Sequence, residues 1–194
     1  MLSQSKSFVV AKATKVNIIS NATNLGRHMT PDDFHLSSFL PYRLAVMSER
    51  VSRRLSVEYG RSHGLVVAEW RVLVHLLRCG AVSVRDIHNC VNLEKPRVSR
   101  AVSRLEMEGL GQKSQGEGDG RLVAISLTDA GRRALADIIP AATRIEEHLT
   151  AAVSAEDLDA FFRVMEHMHS VLDEDPEAKP RPTMDFNRGS EVMP

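Results

Sequence analysis

The chain has 194 residues, 43% of them apolar and 26% charged, with 25 Lys/Arg against 25 Asp/Glu; this suits one globular domain with tails, or two intertwined modules. No apolar run approaches the ~20 residues that cross a bilayer, so no membrane role is expected and a cytoplasmic location is. The zero net charge is unevenly spread. Residues 1–145 hold 21 Lys/Arg and 13 Asp/Glu, a net of +8, and residues 146–177 hold 1 and 10, a net of −9. That split fits a nucleic-acid-facing part and an opposing acidic part better than a uniformly sticky surface.

Residues 1–31 contain Lys6, Lys12, Lys15 and Arg27, no acidic residue, and no apolar stretch of signal-peptide length. They read as a mobile tail, with contact to DNA phosphate as the sharper option and Met29 as an alternative start. A first long helix is expected from about Pro41 to Arg61, with Leu44, Met47, Val51 and Leu55 as its stripe. A second carries Trp70-Arg71-Val72-Leu73. Cys79 and Cys90, the only cysteines, read as free thiols rather than a disulfide. Ser83-Val84-Arg85-Asp86 looks like a capping box opening a short helix from about Ser83 to Cys90, followed by a break at Val91–Leu93.

The next helix is more informative. At about 100° per residue, Val98, Ala101, Val102 and Leu105 share one stripe, the spacing of a buried face. Arg97, Arg100 and Arg104 fall within roughly 60° of one another, away from that stripe. Ser99 and Ser103 flank them and Lys95 stands at the helix start. Pro96 is tolerated in the first turn, and Gly109 sits where a helix C-cap wants positive φ. Arginine's planar fork pairs with guanine O6 and N7 or clamps a phosphate. A merely solvated basic face would show the same pattern, so the helix alone does not decide.

Residues 111–128 then read as a β-hairpin. Gly116, Gly118 and Gly120 permit an unusual tip, and Val123, Ile125 and Leu127 alternate as in a half-buried strand. Arg121 lies just past the tip, two residues after Asp119. It suits a minor groove, with the carboxylate orienting it; the plainer reading is an exposed turn pair worth under about 1 kcal/mol. Two short helices, a tight turn and a wing make a winged helix-turn-helix. Beyond it, Thr128 can cap a helix carrying Leu135, Ile138, Ile139, Ala142, Ile145 and Leu149, kinked at Pro140. Ser154 opens a last helix with Leu158, Phe161, Phe162, Met165, Met168 and Leu172.

The expected fold is mainly α with a small β-wing (α+β). Its expected parts are a mobile tail at 1–31, a helical dimerisation region at 32–62 and 131–172, and a winged helix-turn-helix at 63–130. Residues 173–194, with four prolines and many charges, are expected to form a disordered tail. The flanking amphipathic helices would serve either a monomer core or an intertwined homodimer.

Several short motifs recur here in a specific order. They are Trp70-Arg71-Val72-Leu73, Val98-Ser99-Arg100, Arg104-Leu105-Glu106, the Gly109-Leu110 stop, Asp119-Gly120-Arg121 and Leu127-Thr128-Asp129-Ala130-Gly131. Together, from about Phe34 to Leu172, the chain resembles the MarR family of bacterial transcription regulators. The resemblance implies a homodimer, more often a repressor, that binds a near-palindromic double-stranded operator and often releases it when a small ligand binds. Arg97, Ser99, Arg100 and Ser103 are then expected in the major groove, with Lys95 and Arg104 on phosphates and Pro96 beside them. Arg121, oriented by Asp119, is expected in the minor groove.

The family's ligand pocket lies between dimer helices and DNA module. Phe39, Tyr42, Trp70, Arg71 and His75 are its candidates here, with core or hinge packing as the competing role of each. Arg71 could meet an anionic ligand, or pair with Glu69 or a nearby Asp. Two departures stand out: Pro96-Arg97 replaces a small polar pair, and Gly111-Gln112 replaces an aliphatic–basic pair, which implies a weaker first wing strand. No cysteine lies in the first helix, which argues against peroxide sensing.

No Ser/His/Asp motif, phosphate loop or flavin fingerprint occurs, so no catalytic residue and no cofactor is expected. His167 and His169 with Glu166, and His88 with Cys90, are poorly spaced for a metal on one helix face, so no metal is expected either. The alternative function is a helical dimer acting on a protein partner through its acidic C-terminal helix. It leaves Arg97, Arg100, Arg104 and Arg121 unexplained, and salt dependence separates it from DNA binding.

Overall fold

A computed structural model describes residues 31–115 and 123–182. They fall into two units that divide between Leu44 and Ala45. In the first, short 3-10 turns at Pro31–Asp33 and Leu36–Ser38 lead into the start of α1 (Leu40–His63). The rings of Phe34 and Phe39 meet there in a tilted pair, 5.3 Å between centroids.

The second unit holds the rest of α1, then α2 (Val67–Cys79), β1 (Val82–Ser83), α3 (Val84–Cys90) and α4 (Lys95–Met107). There follow β2 (Gly111–Gln115), β3 (Val123–Leu127), α5 (Asp129–Thr150) and α6 (Ala155–Asp173). The strands form an antiparallel sheet in the order β1-β3-β2. The architecture is mainly helical with a small sheet, a winged helix-turn-helix.

The core forms where amphipathic faces converge. Val98, Ala101, Val102 and Leu105 of α4 are all buried, as their spacing predicts. They join Val72, Leu73 and Leu76 of α2, Ile87 of α3, Ile125 and Leu127 of β3, and Leu135 and Ile138 of α5 in one cluster. Each such side chain contributes about 1.5–3 kcal/mol when fully removed from water.

The wing shows one feature that sequence reading missed. β1 adds a third strand, pairing Val82 with Ile125 and Ser83 with Ala124; two residues are too few to show an alternation. β2 pairs with β3 as the expected hairpin, in unbroken register from Gly111–Leu127 to Gln115–Val123. Gly111 has a packing reason: a Cβ there would lie 3.1 Å from Ile125 Cδ1, at the edge of close contact.

The helix ends are locally encoded. Ser83 accepts from the Arg85 N–H at 3.3 Å. Ser154 accepts from the Asp157 N–H at 3.0 Å and donates to its carboxylate at 2.7 Å, satisfying first-turn donors. Gly109 closes α4 with φ +69°, and the Leu110 N–H reaches back to the Leu105 carbonyl at 2.8 Å, a glycine C-cap. Thr128 then ties two helices together. Its hydroxyl donates to the Gly109 carbonyl at 2.7 Å and accepts from the Gly131 N–H at 3.1 Å. A Cβ on Gly131 would stand 2.1 Å from the Leu110 carbonyl oxygen, so only glycine lets α5 start this close to the end of α4.

α5 runs through Pro140 as one helix. Pro140 and Ala136 are both exposed, so water can serve the carbonyl that loses its N–H partner. Arg181 folds back on α6 and makes a two-pronged contact with the Glu166 carboxylate, one arm at 2.9 Å. That hydrogen bond from Arg181 holds the Glu166 carboxyl below the ordinary carboxylate range.

Gly131→Ala should destabilise the fold by about 1–3 kcal/mol through overpacking against backbone, read as a lower urea midpoint at fixed protein concentration. An unchanged midpoint would mean that the α4–α5 junction tolerates displacement. A carboxyl with a lowered folded-state pKa stabilises above its unfolded value and loses that contribution as pH falls through the folded value. Amide exchange in residues 177–182, corrected for intrinsic rates, should therefore accelerate on acidification, and at neutral pH in Arg181→Ala. Equal protection in the variant would exclude the ion pair as the anchor.

Candidate nucleic-acid interface

Burial of one face of α4 turns the other outward. Lys95, Pro96, Arg97, Ser99, Arg100, Ser103 and Arg104 are all exposed on this helix. Pro96 occupies its first turn, and Glu94 precedes it without a side-chain cap. Lys95, Arg97 and Arg100 form no ion pair among the described residues. Their charge faces solvent at the end of the helix where N–H groups lack intrahelical partners, an arrangement suited to anions.

Arg104 differs. Its Nε lies 3.4 Å from Glu69 Oε1 on α2, with the arginine side chain half exposed and the glutamate 4% exposed. Glu69 was read from sequence only as a partner for Arg71; the structure pairs it with Arg104 of α4 instead. Lys113 of β2 reaches Glu106 of α4 at 2.6 Å, joining wing and helix. Gly116, Gly118, Asp119, Gly120 and Arg121 lie outside the described residues.

The pocket candidates separate. Phe39 and Tyr42 lie in the first unit, both exposed. In the second unit, Trp70 stacks on buried Tyr59, centroids 5.6 Å apart and planes 11° apart. Burial pushes the Tyr59 phenol's pKa up. Trp70 also lines a cavity of about 620 Å³ between α1, α2 and α5. Val51 and Leu55 come from α1; Val74, Leu77 and Arg78 from α2; Ile139, Ala142, Ile145, Glu146 and Leu149 from α5.

Arg71 and His75 do not line that cavity. Arg71 donates to the carbonyls of Val91 and Asn92 at 3.3 and 3.4 Å, bracing the turn before α4. His75 is 3% exposed, with Nδ1 3.8 Å from Cys79 Sγ. The cavity's α2 residues follow Trp70 at helical spacing, a stripe indistinguishable in sequence from core. Among the described residues no three His, Cys, Asp or Glu side chains gather as a metal site, and no helix is long and apolar enough to cross a membrane.

These features agree with known proteins. The MarR family model matches residues 65–123, the stretch from α2 into β3. YwoH, an HTH-type transcriptional regulator of Bacillus subtilis (strain 168), is 32% identical over 114 residues, spanning 59% of this chain and 82% of that protein. The chain belongs to the MarR family. It is a DNA-binding transcription regulator, and the family is not enzymatic.

Two solved structures share the fold. Sco3205 of Streptomyces coelicolor, a MarR family regulator seen in complex with DNA, matches with a TM-score of 0.65 and 19% identity, over 80% of this chain and 96% of that one. BpsR of Bordetella bronchiseptica, whose DNA binding is regulated by 6-hydroxynicotinic acid, matches with a TM-score of 0.55 and 22% identity, over 65% and 98%. At these identities the likeness is one of fold.

For this MarR-family chain, Arg71→Met should free the turn that sets the start of α4. Loss of charge-assisted hydrogen bonds is worth about 1.5–3 kcal/mol, read as faster amide exchange at Val91–Leu93 than elsewhere in the core. Uniform exchange across the domain would show that Arg71 does not brace the turn.

Proposed function

We propose that this regulator is a cytoplasmic homodimer that represses transcription by binding a near-palindromic operator and leaves it when a small ligand binds. The observation that carries the reading is the outward face of α4: four cationic residues and two serines on a helix whose opposite face is wholly buried. Arg97, Ser99, Arg100 and Ser103 read bases in the major groove, Pro96 sets the helix start beside them, and Lys95 and Arg104 meet phosphates. Arg121, aimed by Asp119, enters the minor groove.

Homodimerisation rests on apolar surface. α6 buries none of its residues, and Phe161, Phe162, Val164, Val171 and Leu172 are each about half exposed. Residues 32–62 and 131–172 form the dimer frame in this reading. A two-fold dimer presents two recognition helices to half-sites about 34 Å apart.

The ligand site is the cavity lined by Trp70. Its volume is within the usual range for small-molecule sites, and its walls suit a mostly apolar molecule with a polar group near Arg78 or Glu146. The ligand regulation of BpsR supports this use of the fold. A 100-fold operator loss needs about 2.7 kcal/mol of differential affinity between the two states.

Fluorescence anisotropy on a duplex selected by the wild-type protein from a randomised library tests the interface. Arg100→Ala should lose about 1–3 kcal/mol on the selected duplex and discriminate less against random DNA. Equal losses on both duplexes would make Arg100 a phosphate contact, and unchanged affinity on both would remove α4 from the interface.

A further inference from the structure

Three consecutive residues of α2 go to three places. Trp70 faces the cavity and Arg71 braces the turn before α4. Glu69 is the more demanding case, because a buried carboxylate is costly unless it is paired and hydrogen-bonded. Here its two oxygens are divided between two partners. Oε2 accepts from the Val66 N–H at 2.8 Å, and Oε1 faces Arg104 Nε at 3.4 Å.

The first contact anchors the carboxylate at the third position of α2, where the helix dipole also favours negative charge. The second therefore reaches α4 from a fixed point. It meets Arg104 at Nε, one of five guanidinium donors, on a side chain that stays half exposed. The terminal nitrogens remain available on the same helix face as Arg97 and Arg100. Arg104 stands near the C-terminal end of α4, whereas recognition helices read bases mainly with their N-terminal residues.

We infer that Glu69 is a positioning residue for DNA binding, which holds the Arg104 guanidinium ready to clamp a backbone phosphate. This rests on the reading that the outward face of α4 meets DNA. Without Glu69, Arg104 would have to lose rotamer freedom on binding. The competing role is simple charge compensation, in which Glu69 weakens the attraction of Arg104 for phosphate. The two roles predict opposite signs for removal of the carboxylate.

The test uses the full chain and the library-selected duplex, with anisotropy across a salt series. Glu69→Gln keeps an acceptor for the Val66 N–H and removes the charge. It should bind about tenfold more weakly and lower the salt slope by about 0.9, the value of one phosphate contact. Arg104→Ala should do the same, and the double variant should be no weaker than Arg104→Ala alone. Unchanged or tighter binding by Glu69→Gln, an unaltered slope, or additive losses would each overturn the inference.

A purely structural role for Glu69 would lower the melting temperature and weaken binding at the wild-type slope, which also counts against it. If Glu69→Gln does not fold, Glu69→Asp keeps the charge and shortens the reach, and it should lose affinity and slope in the same way; wild-type values would overturn the inference. A loss in Arg100→Ala with none in either Glu69 variant would sink this inference and leave the interface standing. Wild-type binding without salt dependence would sink both.

Discussion

Burial of one stripe on α4 organises the winged helix-turn-helix. Val98, Ala101, Val102 and Leu105 leave water against α2, α3, β3 and α5. Once they are buried, helical geometry leaves Arg97, Arg100 and Arg104 no place but the outer face. The arginines are thus aimed by residues on the opposite, buried face. The same burial brings β2 alongside α4, so the first wing strand leaves the core beside that helix.

A second constraint sets where that helix ends. Gly109 takes positive φ, Leu110 returns to the core, and Thr128 hydrogen-bonds across to Gly109 while capping α5. Gly131 allows α5 to start against the Leu110 carbonyl. The motif Leu127-Thr128-Asp129-Ala130-Gly131 is thereby a joint between the DNA module and the long helix that follows. A long helix rooted at the end of α4 supplies a mechanical link between the cavity and that helix, since α5 also forms one cavity wall.

α2 supplies the other link. It carries the buried Glu69 that meets Arg104, the Trp70 that lines the cavity, and the Arg71 that holds the turn before α4. Adjacent helical residues point about 100° apart, which is how one short segment reaches three regions. Any shift of α2 is therefore felt at the recognition helix through an ion pair and two hydrogen bonds, not through diffuse packing alone.

Much of this was legible in the sequence because it depends on local rules. Periodicity marked the buried and exposed faces of α4, and Ser83, Gly109, Thr128 and Ser154 marked helix ends through their own hydrogen bonds or φ. Other features depend on residues distant in the chain. The two-residue strand β1 exists only because β3 offers a partner. Glu69 looked like a neighbour for Arg71 and became the partner of Arg104, because α2 packs across α4. Arg71 and His75, pocket candidates by sequence, are turned to the turn and the interior, while Val74, Leu77 and Arg78 join Trp70 on the cavity wall. By itself, then, the sequence determined the helices, their faces, their caps and the basic recognition surface, all properties of short-range geometry. Only the tertiary structure decided the ion-pair partners, the third strand and the cavity lining, because these depend on which helix faces meet across distances that no local pattern encodes.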